Sequence, residues 1–294
     1  MSVSEGVDTL SARDGQECVK VEMYETGEGE FKTFNLAPNH YHRQEAVERT
    51  GAVDITGYLE KVIHGTISPS EYGSIIVMQW FLQPGLGRRI SEATIKLTFE
   101  SHSSDSDTEL EARDISFEGT YGLMTTTQET ATTRGLEATA GVQQVAQANL
   151  TAKWENAITT TTSDSITLVG RKHLVNNKPP KRIAEWELHE NQSQPRGIPG
   201  MLRVAVLVAR DDEEKFQCRV DFKCKTDLKT RLAGWLQKIP KDDPIIFQPD
   251  RLDKGRRENK GVIYGVKDLG NMSLDDLSDV TYKRVISDGQ KAWK

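Results

Sequence analysis

The sequence predicts a mainly β protein, an antiparallel β-sandwich with a small α+β C-terminal appendage. Three observations carry this expectation. Apolar and polar residues alternate with period two in segment after segment, turn formers such as Pro84-Gly85-Leu86-Gly87 separate the segments, and the best helical spacing comes only late, after Thr226. At 294 residues the chain holds one large or two medium domains, because single cores stop growing near roughly 250–300 residues. We expect a loosely ordered terminus over 1–17, the sandwich over 18–225, and a helix and short strand packed on it over 226–294.

Taken in order, the polar start is followed by Val19–Tyr24 and Phe31–Phe34, two short extended pieces around a Gly/Glu turn. Pro38 and Asn39 open a short helix over His40–Arg49, which Gly51 stops. From Val53 the pattern turns extended, with Ile55, Tyr58, Val62 and Ile63 leading to a turn at Gly65–Ser70. Ser74–Leu82 is a continuous apolar run of strand length, as expected of a strand buried on both faces. Ala93, Ile95, Leu97 and Phe99 then alternate with polar residues, and the two strands read as antiparallel neighbours.

The middle of the chain is rich in Thr, at Thr125–Thr127, Thr130–Thr133 and Thr159–Thr162. Between these clusters apolar residues keep even positions from Leu136 to Ile158. One straight strand of that length would extend about 75 Å at ~3.3 Å per residue, so a bent strand or a strand pair is expected, with a helix over Leu136–Leu150 as the competitor. Ser165–Gly170 is a further strand, followed by the basic connection Arg171–Arg182. Ala184, Trp186 and Leu188 alternate with Glu185, Glu187 and His189, and a long loop runs to Gly200. Leu202–Val208 and Phe216–Cys224 are read as a hairpin across the loop Ala209–Lys215. Leu228, Leu232, Trp235, Leu236 and Ile239 make an apolar helical stripe ended by Pro240, and Ser273 with Asp276 forms a capping-box start.

Charge narrows the function classes. The 38 Lys+Arg against 44 Asp+Glu give a net charge of −6, the opposite of the basic footprint of a nucleic-acid binder. The N-terminal residues lack a basic stretch followed by an apolar one, and the longest apolar run, Ile75–Leu82, is far short of the ~20 residues of a spanning helix. A cytoplasmic protein is expected. Three cysteines are too few for a disulfide framework. Cys218 and Cys224 share the parity of Phe216, Val220 and Phe222, so both are expected to be buried structural thiols.

Trp186–Asn191, Gly197-Ile198-Pro199, the Leu202–Arg210 strand and the return at Phe216 resemble a pattern common in β-rich proteins of filamentous fungi that carry no assigned activity. Ala93–Phe99 and Asp243–Pro249 are similar to other pieces of that pattern, which covers about half the chain. The resemblance implies a β-rich fold and no catalytic residues.

Motifs that carry chemistry are sparse. His40-x-His42 places two imidazoles close together, but a third ligand at a known spacing is missing. His64, His102, His173 and His189 are scattered and read as polar surface residues. There is no Gly-x-Ser-x-Gly elbow, no third glycine after Gly85 and Gly87 for a dinucleotide turn, and no Gly-Lys-Ser/Thr phosphate loop. No catalytic, cofactor-binding or metal-binding residues are assigned, and no cofactor is expected.

The leading expectation is a non-catalytic β-sandwich that binds a protein or small ligand through its loops, with Glu190, Asn191, Arg196 and Ile198 as the candidate interaction loop. A second reading is a membrane-active, pore-forming-like protein that uses the Thr-rich 120–170 hairpin, since alternating strands of ~10 residues are what a transmembrane barrel requires. A third is an isomerase or cyclase acting on an apolar small molecule in a cavity built from dispersed residues.

Overall fold

The computed structural model of the chain describes residues 32–51, 53–103, 109–133, 157–226, 241–250 and 259–281. These residues form two sheets packed face to face, almost entirely antiparallel, with short 3₁₀ turns as their only helical structure. Strands are numbered in chain order. The first sheet is centred on β2 (Val53–Ser68), β3 (Glu71–Pro84) and β9 (Met201–Arg210). Each outer edge of this trio is shared by two short strands. β1 (Glu45–Arg49) and β12 (Val262–Val266) divide the edge of β2, and β5 (Leu110–Ile115) and β13 (Asp279–Thr281) divide that of β9. The second sheet has the order β11 (Ile245–Phe247), β10 (Phe216–Thr226), β4 (Ile90–Ser101), β8 (Lys178–His189), β7 (Ala157–Val175), β6 (Gly119–Thr133).

Period-two patterning explains the core between the sheets. Phe216, Cys218, Val220, Phe222 and Cys224 of β10 face inward together with Ile95, Leu97 and Phe99 of β4 and Trp186 of β8. From the opposite sheet Ile76, Met78, Trp80 and Leu82 meet them, and Trp80 stacks on Phe222 at 5.6 Å between ring centroids. β3 is buried on both faces over most of its length, as the apolar run Ser74–Leu82 predicts. Its other face, Ile75 and Val77, joins Ala205 and Leu207 beneath Leu269 and Leu274 of the two 3₁₀ turns. The Ser273 cap operates there, Asp276 N–H donating to Ser273 Oγ at 3.3 Å, on one 3₁₀ turn.

Several local expectations are corrected. Glu45–Arg49 is a strand paired with Tyr58–Ile55 rather than the end of a helix, because Ala46 and Val47 gain a buried sheet edge that outweighs local propensity. The described residues of Phe31–Phe34 form no strand. β3 and β4 are not neighbours, and β9 and β10 are not a hairpin: in both pairs the chain crosses from one sheet to the other. Arg171–Arg182 is not a loop but the tip of the β7–β8 hairpin, turned by Asn176 and Asn177 with φ of 52° and 59°, the left-handed pair of a type I′ turn. The N-terminal 1–17 segment, Val19–Tyr24, the alternating run before Ala157 and the helix over Leu228–Ile239 lie outside the described residues.

Candidate functional site

The Glu190–Gly200 loop is anchored to the body at both ends. Of the residues singled out in it, Glu190, Asn191 and Ile198 are buried and Arg196 is exposed. The Glu190 carboxylate accepts the Gly197 N–H at 2.9 Å and pairs with Arg89 Nε at 3.2 Å. Ile198 donates its N–H to the Ile90 carbonyl at 3.0 Å and puts its side chain in the core. The exposed tip has a different task. Ser193 donates its N–H and its hydroxyl to the Asp164 carboxylate at 2.8 and 3.1 Å. That backbone hydrogen bond is the leading reason why Asp164 has a pKa below the ordinary value.

Asp164 stands at the foot of a projecting ribbon. β8 pairs with β7 only from Thr167 to Val175, whereas β6 stays paired with β7 back to Thr133 opposite Ala157. Beyond Ile166, among the described residues, the two strands pair only with each other and form a two-stranded arm, roughly 30 Å long at ~3.4 Å per residue. The sequence of its arms is polar. Ala131 is the one apolar residue of Thr126–Thr133, and Ala157 and Ile158 are adjacent rather than alternating in Ala157–Asp164. β6 ends the sheet order, so its outer edge has no strand partner among the described residues.

A second polar feature lies inside the sandwich. Ser74 of β3, His64 of β2 and His42, in the connection before β1, form a hydrogen-bonded chain: Ser74 Oγ to His64 Nδ1 at 2.7 Å, then His64 Nε2 to His42 Nε2 at 3.0 Å. The Gln248 N–H, which can only donate, points to His42 Nε2 at 3.3 Å. His42 Nε2 is then the acceptor, His64 carries its proton on Nε2, and the Ser74 hydroxyl donates to His64 Nδ1. All three are buried. Burial, the neighbouring His42 and the Arg210 charge, in that order, hold the His64 pKa well below 6.5, so the imidazole is neutral.

Arg210 ends β9 beside this chain and is only 2% exposed. Its guanidinium lies 5.6 Å from the Phe216 ring and 5.9 Å from that of Tyr72 and donates to the carbonyls of Asp212 and Gly73. Burial lowers its pKa to about 10. A cavity of about 210 Å³ is lined by His64 and Arg210 together with Gly265 and the exposed Lys267.

No family model matches the chain, and no curated protein matches it. Its chemistry therefore has to follow from geometry. Ser74, His64 and His42 have the connectivity of a nucleophile and base, but Ser74 is fully buried and both ring nitrogens of His64 are engaged within the chain. Neither group can attack or exchange a proton with a ligand in the cavity. Among the described residues no three His, Cys, Asp or Glu side chains converge as metal ligands. Burial pushes the Cys218 thiol up and the Cys224 thiol up to about 11, so both stay protonated and unreactive near neutrality.

His64 corrects the expectation of a surface histidine, and its burial has a specific cause. A bulge at Leu59/Lys61 shifts the β2 register by one residue. Val53, Ile55 and Leu59 face the core before it, and Val62 after it, so His64 turns inward. The strong Val62-Ile63 pair beside it is the one sequence signal of that change. His42, expected in a short helix, and Arg210, expected in the loop after Val208, are likewise buried.

Proposed function

We propose that this chain is a non-catalytic β-sandwich interaction module that engages a partner protein through the β6–β7 ribbon. The observation that carries the reading is the ribbon's departure from the sheet, with the backbone edge of β6 unpaired by any strand among the described residues. Proteins usually blunt such edges with proline, lysine or short strands. β6 has no proline and no lysine across fifteen residues, which suits the addition of an extended strand from a partner. The Ser193–Asp164 clasp supports the reading by fixing the direction in which the ribbon leaves the body.

Two other readings have less support. A membrane-inserting hairpin needs an apolar residue at every second position; the run that has it, Leu136–Ile158, lies outside the described residues except at its end, and the described arms lack that alternation. Among the described residues no helix is long and apolar enough to cross a membrane. An isomerase or cyclase would need an acid or base held against the ligand inside the cavity; both nitrogens of His64 are engaged, and Glu213 and Lys267 of the lining are exposed.

The test replaces residues 128–162 by Asn-Gly, closing the hairpin with a two-residue turn between the paired Thr127 and Ser163. The truncated protein is expected to keep the unfolding transition of its body and to lose proteins that the full chain captures, as read by quantitative mass spectrometry of both baits. Capture of the same proteins at the same level by both forms overturns the proposal.

A further inference from the structure

We propose that the cavity between β2, β12 and the β9–β10 connection is a binding site for a small oxyanion, a carboxylate or phosphate group held by Arg210 with Lys267 at its mouth. Three observations converge on it, none of them involving the ribbon. First, Arg210 is only 2% exposed, and among the described residues no carboxylate lies within ion-pair distance of it, the charges of Asp212, Glu213 and Asp211 acting on it from further away. Buried guanidinium groups are normally paired, because desolvating an unpaired charge is expensive. The interior of this sandwich shows the usual solution elsewhere, where Arg49 meets Asp242 at 2.5 Å with both side chains 4% exposed.

Second, the donors of Arg210 are only partly used. A guanidinium offers five N–H groups. The carbonyls of Asp212 and Gly73 take one each, and Nε is buried without an acceptor. The guanidinium lies within cation–π range of the Tyr72 and Phe216 rings, and a guanidinium with donors to spare is the group that best matches a planar or tetrahedral oxyanion.

Third, there is room and a complementary rim. The cavity of about 210 Å³ reaches Arg210, His64, Thr66, Glu213, Gly265 and Lys267. It is smaller than typical drug-sized sites of roughly 300–1,000 Å³, which limits the occupant to an anionic group and a few further atoms. Gly265 has φ +71° and a Cβ there would meet nothing within 4 Å, so backbone rather than side chain borders the space on that side. Lys267 is exposed and adds a second positive charge, whereas exposed Glu213 opposes it. Neutral His64 adds none.

Isothermal titration of the full chain with inorganic phosphate, acetate and, as a neutral control, acetamide tests the assignment. One site saturable by phosphate or acetate and silent to acetamide is expected, and the preferred anion identifies which oxyanion the site favours. Arg210→Met is expected to weaken binding roughly 10- to 100-fold, the value of a charged hydrogen bond. Because that variant removes a buried group, two surface variants keep the test independent of folding. Lys267→Gln should weaken binding and Glu213→Gln should tighten it, each by about two- to fivefold, as exposed charges do. Absence of saturable binding by both anions, equal binding of acetamide, or unchanged affinities in both surface variants overturns the proposal.

Discussion

Replacing Ser116 by alanine removes one oxygen from a position where the sheet has no substitute for it. β9 is flanked on one edge by β13, up to Arg203 opposite Asp279, and by β5, from Val206 opposite Ile115. Ala205 falls in the gap between them. Ser116 closes that gap with both of its polar ends: its N–H donates to the Ala205 carbonyl at 2.9 Å, and its hydroxyl oxygen accepts the Ala205 N–H at 2.9 Å. Ser116 is 1% exposed and Ala205 fully buried, so water cannot replace the lost acceptor. The expected loss is that of an orphaned buried donor, about 2 kcal/mol within a range of roughly 1–3. For a protein of this size that corresponds to a fall in Tm of roughly 4–8 °C. The Ser116 carbonyl still accepts Trp186 Nε1–H at 2.8 Å, so the tie between the two sheets survives. Urea unfolding followed by tryptophan fluorescence should therefore show a lower midpoint with an unchanged m value. A loss under about 0.5 kcal/mol, the size of an ordinary surface substitution, refutes the reasoning, since it would mean that the Ala205 N–H finds another acceptor.

Two further predictions concern the buried polar groups. Because the folded-state pKa of His64 lies well below 6.5, the unfolded chain takes up a proton that the native chain refuses. Stability from this residue is therefore complete above pH 6.5 and falls as the pH drops below it, by up to about 1.4 kcal/mol per pH unit until the folded-state pKa is reached. Urea midpoints between pH 7.5 and 5 should show this slope, and His64→Gln should flatten it; equal slopes in both proteins would contradict the assignment. Asp242→Ala strips Arg49 of its buried carboxylate and Thr33 of the acceptor for its N–H and hydroxyl, with an expected loss of about 3–5 kcal/mol in thermal unfolding. A loss below about 1 kcal/mol would show the pair behaving as a solvated surface bridge.

Strand positions and inward faces were legible because period two is a local property. The β10 face from Phe216 to Cys224 and the doubly buried β3 follow directly from residue order. Partner choice was not legible. A turn between two alternating strands looks the same whether the second strand hydrogen-bonds to the first or packs on the facing sheet, and Asp211–Lys215 and Gln83–Arg89 both make the second kind of connection. His64 was hidden for a related reason, since one bulged residue reverses every later side chain. The Thr clusters did mark the ribbon, but the end of β8 decides where it leaves the sheet, and that is set by pairing rather than by composition. In the Glu190–Gly200 loop, residue types that usually face solvent are buried by contacts with Arg89 and Ile90, distant in sequence.

The divided edges of the first sheet bear on how the chain is made. β2 and β9 are completed in part by β12 and β13, pieces of chain that leave the ribosome after every other described strand. At roughly 5–20 residues per second, a nascent chain carries the apolar strand β3 and its half-finished neighbours for many seconds before the last segment arrives. The same segment brings Leu269 and Leu274, which cover the outer face of Ile75 and Val77. Synthesis of this protein thus includes an interval in which its most apolar sheet lacks both its closing strands and its cover, and a holding chaperone would act in that interval.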